Sequence, residues 1–252
     1  MPPVEPVGAA GRPAPDPGTP PTLGTPLAPA EQPRPVEPMT GTGYAAFDEV
    51  AAELLGLGTA TVYEASRQEC FLPYTLRPAW PGARLAGPAL PVRTAPADNL
   101  PLHIAVEAAR SGQVLVVAAQ GEPCGYWGEV LTVAAQQRGI GGLVIDGGVR
   151  DTAALAARDF PTFSSSVAVR GTIKSDPGTV GAPIVLGGVT VHDGDLVLAD
   201  EDGVLVLPAD RVDAVLAAAR QRQADERRYL DRIRHGELTL DIYRLRDRYA
   251  AG

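Results

Sequence analysis

The stretch 121–151, GEPCGYWGEVLTVAAQQRGIGGLVIDGGVRD, leaves the backbone of this chain fewer choices than any other. It predicts a loop over 121–127, an amphipathic helix, a short buried strand and a Gly-Gly turn that ends on Arg150-Asp151. Trp127, Val130, Leu131 and Ala134 recur at i, i+3, i+4 and i+7, the apolar stripe of such a helix. Gly139 stands after Arg138, where a left-handed C-terminal cap belongs. Leu143, Val144 and Ile145 form the continuous apolar run of a strand covered on both faces.

The dimensions of this unit bring its ends together. About eleven helical residues cover ~16 Å at ~1.5 Å each, and about five strand residues return the same distance at ~3.3 Å each. The helix start, with Glu129, comes back beside the far end of the strand, with Arg150 and Asp151. Two carboxylates and a guanidinium then meet beside free helix N–H groups, a place suited to a metal ion and a small carboxylate.

Composition narrows the partners. A formal charge of -8 argues against nucleic acid, whose phosphates need a basic surface. Cys70 and Cys124 have no metal-site spacing and build no disulfide framework, which points to a reducing, cytoplasmic setting. No apolar run is long enough to span a membrane, and the start carries no basic-then-apolar signal. The 22 basic residues include one lysine, Lys174, which raises the question of what arginine cannot do there. His103, His192 and His235 show no ligand spacing and read as structural, and no glycine cluster has the form of a phosphate loop.

Residues 1–38 hold 13 of the 25 prolines and almost no aromatic or β-branched residues, as expected of a disordered or polyproline-like tail. A single domain is expected over 39–252. Helices are expected over 45–56, 62–69 (capped by the threonines at 59 and 61), 102–110 and 152–158. Strands are expected over 84–89 and 91–94, parted by Pro88, and over 114–119. Paired strands follow over 183–191, then a hairpin of 196–199 and 204–207 turning at Glu201-Asp202-Gly203. A long helix over 209–235 buries Val212, Val215, Leu216 and Ala219, then turns polar, which directs its far half toward another chain. Gly236 ends it, and 238–243 reads as a docking strand or turn. The alternation is that of an α/β fold.

The spacing from Glu129 across twenty residues to Arg150-Asp151, with Trp127-Gly128 ahead of it and Gly147-Gly148-Val149 at its end, resembles the RraA-like family. That family includes the class II 4-hydroxy-4-methyl-2-oxoglutarate / 4-carboxy-4-hydroxy-2-oxoadipate aldolases. The resemblance runs from about Thr61 to Tyr243. It implies a swivelling-domain-like sandwich or compact barrel of mixed sheet flanked by helices, assembled as a homotrimer or homohexamer. One departure is Tyr63-Glu64-Ala65-Ser66, where relatives usually carry an aspartate.

The resemblance also implies roles. Asp151 would hold Mg²⁺ or Mn²⁺, with Glu129 on a metal-bound water where relatives usually have Asp. Glu226 would reach another such water from a neighbouring subunit; on its own it reads as a solvated residue paired with Arg222 or Arg227. Arg150 would stabilise an enolate oxygen, and the backbone N–H groups of Val130 and Leu131 would bind a carboxylate while their side chains enter the core. The activity implied is cleavage of a 4-hydroxy-2-oxo dicarboxylate to pyruvate and a second keto acid, with oxaloacetate decarboxylation beside it. Three alternatives stay open: a non-catalytic regulator that binds an RNA-degrading enzyme, a Schiff-base aldolase using Lys174, and a relative recruited to another keto-acid lyase reaction.

Overall fold

The computed structural model describes residues 42–246, so the Pro-rich segment 1–38 lies outside the described residues. The described residues start with α1 (Thr42–Leu57) and α2 (Thr59–Ser66), then β1 (Arg77–Pro78), β2 (Leu85–Arg93), α3 (Leu100–Ala108) and β3 (Val114–Ala118). The central unit is β4 (Gly125–Trp127), α4 (Glu129–Gln137), β5 (Gly142–Val149), α5 (Thr152–Ala157) and β6 (Thr162–Val167). Then come β7 (Thr179–Val180), β8 (Ile184–Leu186), β9 (Val189–Val191), β10 (Leu196–Ala199) and β11 (Val204–Leu207). A single 3-10 turn leads into α6 (Val212–Arg234), and α7 (Thr239–Ile242) follows.

Nine strands share one mixed sheet in the order β1-β6-β5-β3-β2-β10-β11, with β4 beside β5 and β7 beside β2. The β2-β3, β3-β5 and β5-β6 pairs are parallel, whereas β10 is antiparallel to both β2 and β11. Alternate residues of six strands, among them Leu85, Ala89, Val114, Val116, Val144, Phe163, Val197 and Val206, meet in one buried cluster. Those strands must curl around that cluster, so the sheet is a nearly closed barrel, which the β8-β9 hairpin helps to fill through Ile184, Leu186 and Val191. The opposite faces of β3 and β5 pack on α3, α4 and α5 through Leu102, Val117, Leu131, Ile145 and Leu155. Helices α1, α2 and α6 cover β10 and β11.

Local expectations fail where distant residues decide. Pro88 does not divide a strand: β2 pairs with β10 up to Pro88 and with β3 from Ala89 onward. The missing N–H therefore falls at the change of partner and interrupts no ladder. Helix α2 is not capped by a threonine hydroxyl. Asp200, 141 residues on, accepts from the Thr59 N–H at 2.8 Å and its hydroxyl at 2.6 Å. Residues 125–127 are a strand rather than loop, and Trp127 belongs to it rather than to the stripe of α4. The stretch 238–243 contains a turn of helix, α7, rather than a strand.

Gly147 and Gly148 form no turn either; β5 continues through both, with its register against β6 shifting between Ile145 and Gly148. A β-carbon on Gly148 would lie 2.4 Å from the Cys124 carbonyl, and one on Gly147 would press the Tyr126 ring at 3.2 Å. The glycines serve close approach of β4 to β5, which carries the strand on to Arg150 and Asp151. Among the described residues, no helix is long and apolar enough to cross a membrane.

Candidate functional site

Beyond the carboxyl ends of β4 and β5 lies a cavity of about 250 Å³. It is lined by Gly125, Tyr126 and Gly128 from β4 and its exit, by Val130 and Leu131 from α4, and by Arg150 and Asp151 after β5. Asn99, His103 and Lys174 complete its lining. Of the residues expected from sequence, the structure thus gathers Arg150, Asp151, Val130, Leu131 and Lys174. Glu129 and Glu226 do not line the cavity.

Asp151 links two helices. It stands at the start of α5 in the left-handed region, φ 57°, without capping that helix through its side chain. Its Oδ2 instead accepts the Glu129 N–H at the start of α4, at 3.1 Å. A non-glycine residue holds such a backbone only when its surroundings enforce it. Here Arg150 N–H donates to Trp127 O at 2.9 Å, and Asp151 O accepts from the Ala154 and Leu155 N–H groups. Arg150 Nε lies 3.9 Å from Asp151 Oδ2. Gly125 and Gly128 make room for the pair. A β-carbon at Gly128 would come within 2.4 Å of Asp151 Oδ2, and one at Gly125 within 3.0 Å of Arg150 Cδ.

The first helical hydrogen bond of α4 runs from Thr132 N–H to Gly128 O. The N–H groups of Val130 and Leu131 precede it and have no acceptor within the helix. Leu131 is buried as expected, but Val130 is 79% exposed. With Trp127 in β4, the buried face of α4 becomes Leu131, Thr132 and Ala135, one position round from the expected stripe. Trp127 anchors the helix start nonetheless: its Nε1 donates to Thr132 Oγ1 at 2.8 Å and its ring stacks on Phe160.

Glu129 is turned aside from its expected place on a metal-bound water. Arg158 Nε and Nη2 both donate to Glu129 Oε1, at 3.0 and 2.7 Å. Glu226 lies on α6, 3.1 Å from Arg222 Nε, and Arg222 also pairs with Glu64 of α2. Its pairing is the solvated-helix one within its own chain.

Sequence reasoning missed Asn99 and His103, which lie some fifty residues before Arg150 and reach the site only through the fold. Asn99 Nδ2 donates to Tyr126 O at 2.9 Å, while its buried Oδ1 has no partner. Burial, with the neighbouring Lys174 ammonium, lowers the His103 pKa and favours the neutral imidazole. Lys174 is itself well held. Ile173 N–H donates to Ala97 O, and the Ser175 and Asp176 N–H groups both donate to Asp98 Oδ2 at 2.8 Å. Burial resists ionisation of Asp98, but N–H donation from Leu100, Asp176 and Ser175, with Lys174 nearby, outweighs it and lowers the pKa.

A divalent cation makes modest demands of this donor set. Among the described residues, no three His, Cys, Asp or Glu side chains converge. Mg²⁺ and Mn²⁺ do not need that, since they bind through one or two carboxylates and keep several waters. Asp151 offers Oδ1, which carries no hydrogen bond among the described residues, on a half-exposed side chain at a polar cavity. The space that Gly128 leaves beside it is what a β-carbon would close. These features fit such an ion.

The family model described as RraA-like, Aldolase/RraA, matches residues 59–206. A Halalkalibacterium halodurans protein named "Putative 4-hydroxy-4-methyl-2-oxoglutarate aldolase" is 35% identical over 153 residues, 60% of this chain and 73% of that protein. The structure of the RNA-processing inhibitor RraA from Thermus thermophilis is 30% identical, with TM-score 0.52, covering 63% of this chain and 92% of that one. Streptomyces coelicolor RraAS2, titled an unusual member of the RNase ES inhibitor RraA protein family, is 25% identical with TM-score 0.63. That match covers 74% of this chain and 98% of the other.

Proposed function

The chain belongs to the RraA-like family, and on that premise we propose that its cavity cleaves a 4-hydroxy-2-oxo dicarboxylate to pyruvate and a second keto acid. The observation that carries this reading is the meeting of Arg150, Asp151, Lys174 and the helix start at Val130-Leu131 around one cavity. Asp151, with water, would hold Mg²⁺ or Mn²⁺, which when bound supplies Lewis-acid polarisation of a ligand carbonyl. The free N–H groups of Val130 and Leu131 take the carboxylate next to the ketone, and the helix dipole favours that negative charge.

The guanidinium of Arg150 donates to the ketone oxygen, a bond that strengthens as the oxygen gains charge. The Lys174 ammonium sits opposite and can neutralise the second carboxylate. His103, held neutral by its surroundings, takes the proton of the C4 hydroxyl. As that hydroxyl becomes a carbonyl, the C3–C4 bond breaks and its electron pair moves into the enolate of pyruvate. Return of the proton from His103 to C3 completes pyruvate and restores the neutral imidazole. Oxaloacetate loses CO₂ to give the same enolate, so the site is expected to decarboxylate it as well.

Relatives named as aldolases support a lyase, including the Halalkalibacterium protein. The test is release of pyruvate from oxaloacetate and from hydroxy-oxo diacids, with and without Mg²⁺ or Mn²⁺. No turnover in any combination would overturn the reading. It would favour instead a non-catalytic regulator that binds an RNA-degrading enzyme; two structurally similar proteins are described as an RNA-processing inhibitor and as a member of an RNase ES inhibitor family. Turnover that persists in chelator, with borohydride trapping on Lys174, would move the chemistry to a Schiff base. We further propose that Glu226 of a neighbouring copy reaches a water of the cation at Asp151 from outside the cavity, without becoming a second carboxylate ligand.

A further inference from the structure

Glu129 begins one hydrogen bond away from Asp151, since its own N–H donates to the Asp151 carboxylate at 3.1 Å. Its side chain has the reach to bring a second carboxylate to the same point, yet it turns the other way. We propose that Arg158 is a positioning residue that sets the cation affinity of the cavity by holding the Glu129 carboxylate out of it. This rests on the reading that Asp151 binds a divalent cation.

The restraint is built into one short helix. Helix α5 runs from Thr152 to Ala157, with Asp151 at its entrance and Arg158 at its exit. Its two ends therefore grip the two acids differently: one end presents a carboxylate to the cavity and the other removes one. Both guanidinium bonds fall on the single oxygen Oε1, so the hold is directional, and the planar Arg fork suits it better than a point charge would. Arg158 cannot simply follow Glu129 inward. Its N–H donates to Ala154 O at 3.1 Å, and its carbonyl accepts from Gln136 Nε2 at 2.8 Å, near the far end of α4. The backbone is thus pinned at one end of α4 while the guanidinium reaches the other.

The charge balance gives the restraint a purpose. Affinity for hard divalent cations rises with the number of anionic oxygens offered. With Glu129 withheld, the cavity sets one carboxylate against two cationic side chains, Arg150 and Lys174. The positive charge that remains is available to an anionic keto acid, for which a bound cation would keep positions open. A second carboxylate would tighten the cation and repel that ligand.

The test is calorimetric titration of the full chain with Mn²⁺ and no keto acid, for wild type, Arg158→Gln, Glu129→Gln, the double variant and Asp151→Asn. Arg158→Gln is expected to tighten Mn²⁺ on the order of tenfold, the scale seen for residues that act on a metal through its ligands. Glu129→Gln should match wild type, and the double variant should return to wild type, because the gain comes from the released Glu129. Arg158→Lys, which keeps the charge without the fork, should fall between wild type and Arg158→Gln. Unchanged affinity in Arg158→Gln with a wild-type melting temperature would overturn the proposal. So would a Glu129→Gln variant that loses Mn²⁺ as Asp151→Asn does. If Asp151→Asn itself binds Mn²⁺ like wild type, the cation site is misplaced and both readings fall together.

Discussion

Asp151 Oδ2 accepts the backbone N–H of Glu129 at 3.1 Å, so this carboxylate sits at the start of a helix to which it does not belong. The bond closes the strand–helix–strand unit of β4, α4 and β5 at its open end. It also fixes the Asp151 side chain through one oxygen, on a residue that lines the cavity.

Substitution of Gly128 by alanine tests that arrangement. The Gly128 backbone is extended, at φ -161°, so alanine brings no conformational strain of its own. Its β-carbon would meet Asp151 Oδ2 at 2.4 Å and force the carboxylate to move. Cation affinity and turnover should each fall about 10–100-fold, with a melting temperature close to wild type. Wild-type Mn²⁺ affinity in Gly128→Ala would show that the carboxylate has no fixed place.

Asp151→Asn should abolish cation binding and pyruvate release while leaving the fold intact. Asparagine tolerates the left-handed backbone that Asp151 adopts, and its amide can still accept from Glu129 N–H. Chelator should likewise silence the wild-type protein, and added Mg²⁺ or Mn²⁺ should restore it. Arg150→Lys should be severely impaired as well, because a point charge replaces a planar pair of donors.

How far these parts could be read in advance depends on the range over which each is determined. The hairpin strands 196–199 and 204–207 and the long helix after Pro208 follow their expected limits closely, because alternation, turn chemistry and a helical stripe all act locally. Arg150 and Asp151 were legible through spacing. Gly147 and Gly148 were not, since their function is to admit Tyr126 and the Cys124 carbonyl rather than to turn the chain. Val130 points outward because Trp127 packs in a strand and α4 rotates by one position. Asn99, His103 and the Asp200 cap on α2 depend on contacts across tens of residues, which no local pattern encodes.

Asp98 offers a separate handle on Lys174. It is 1% exposed and accepts N–H bonds from Leu100, Ser175 and Asp176. In Asp98→Asn, one amide oxygen remains and an NH₂ faces donors. Stability should fall by about 1–3 kcal/mol, the cost of leaving a buried group unpaired. The loop that carries Lys174 should loosen, raising KM for the dicarboxylate more than it lowers kcat. A wild-type KM would separate Lys174 from substrate binding.

The pH dependence should carry the mark of His103. Burial and Lys174 lower its pKa below the ordinary 6.5, so the folded protein binds its proton less readily than the unfolded chain does. The stabilisation is complete above the ordinary value and drains as pH falls from there through the lowered one. Turnover should decline over the lower part of that acid range as the imidazole protonates and can no longer accept a proton. His103→Asn should have much lower kcat and lack that acid limb. A variant with wild-type kcat and an unchanged profile would remove His103 from the proton transfer.

Glu226 tests whether a neighbouring copy completes the site. In its own chain it pairs with Arg222 and lies on α6, whose buried residues end at Ala219, and it does not line the Asp151 cavity. Arg222 divides itself between Glu226 and Glu64, so a competing partner could draw Glu226 away at small cost. Glu226 would therefore act on the cavity of another copy. Asp151→Asn and Glu226→Gln would each damage every site of a homo-oligomer. Mixed and reassembled, the two variants would generate some sites with an intact Asp151 from one chain and an intact Glu226 from the other. Activity above that of either parent is therefore expected, rising with the fraction of mixed oligomer measured by mass. Mixed oligomers that never exceed their parents would confine Glu226 to its ion pair with Arg222, and the cavity would have to work with the residues of one chain.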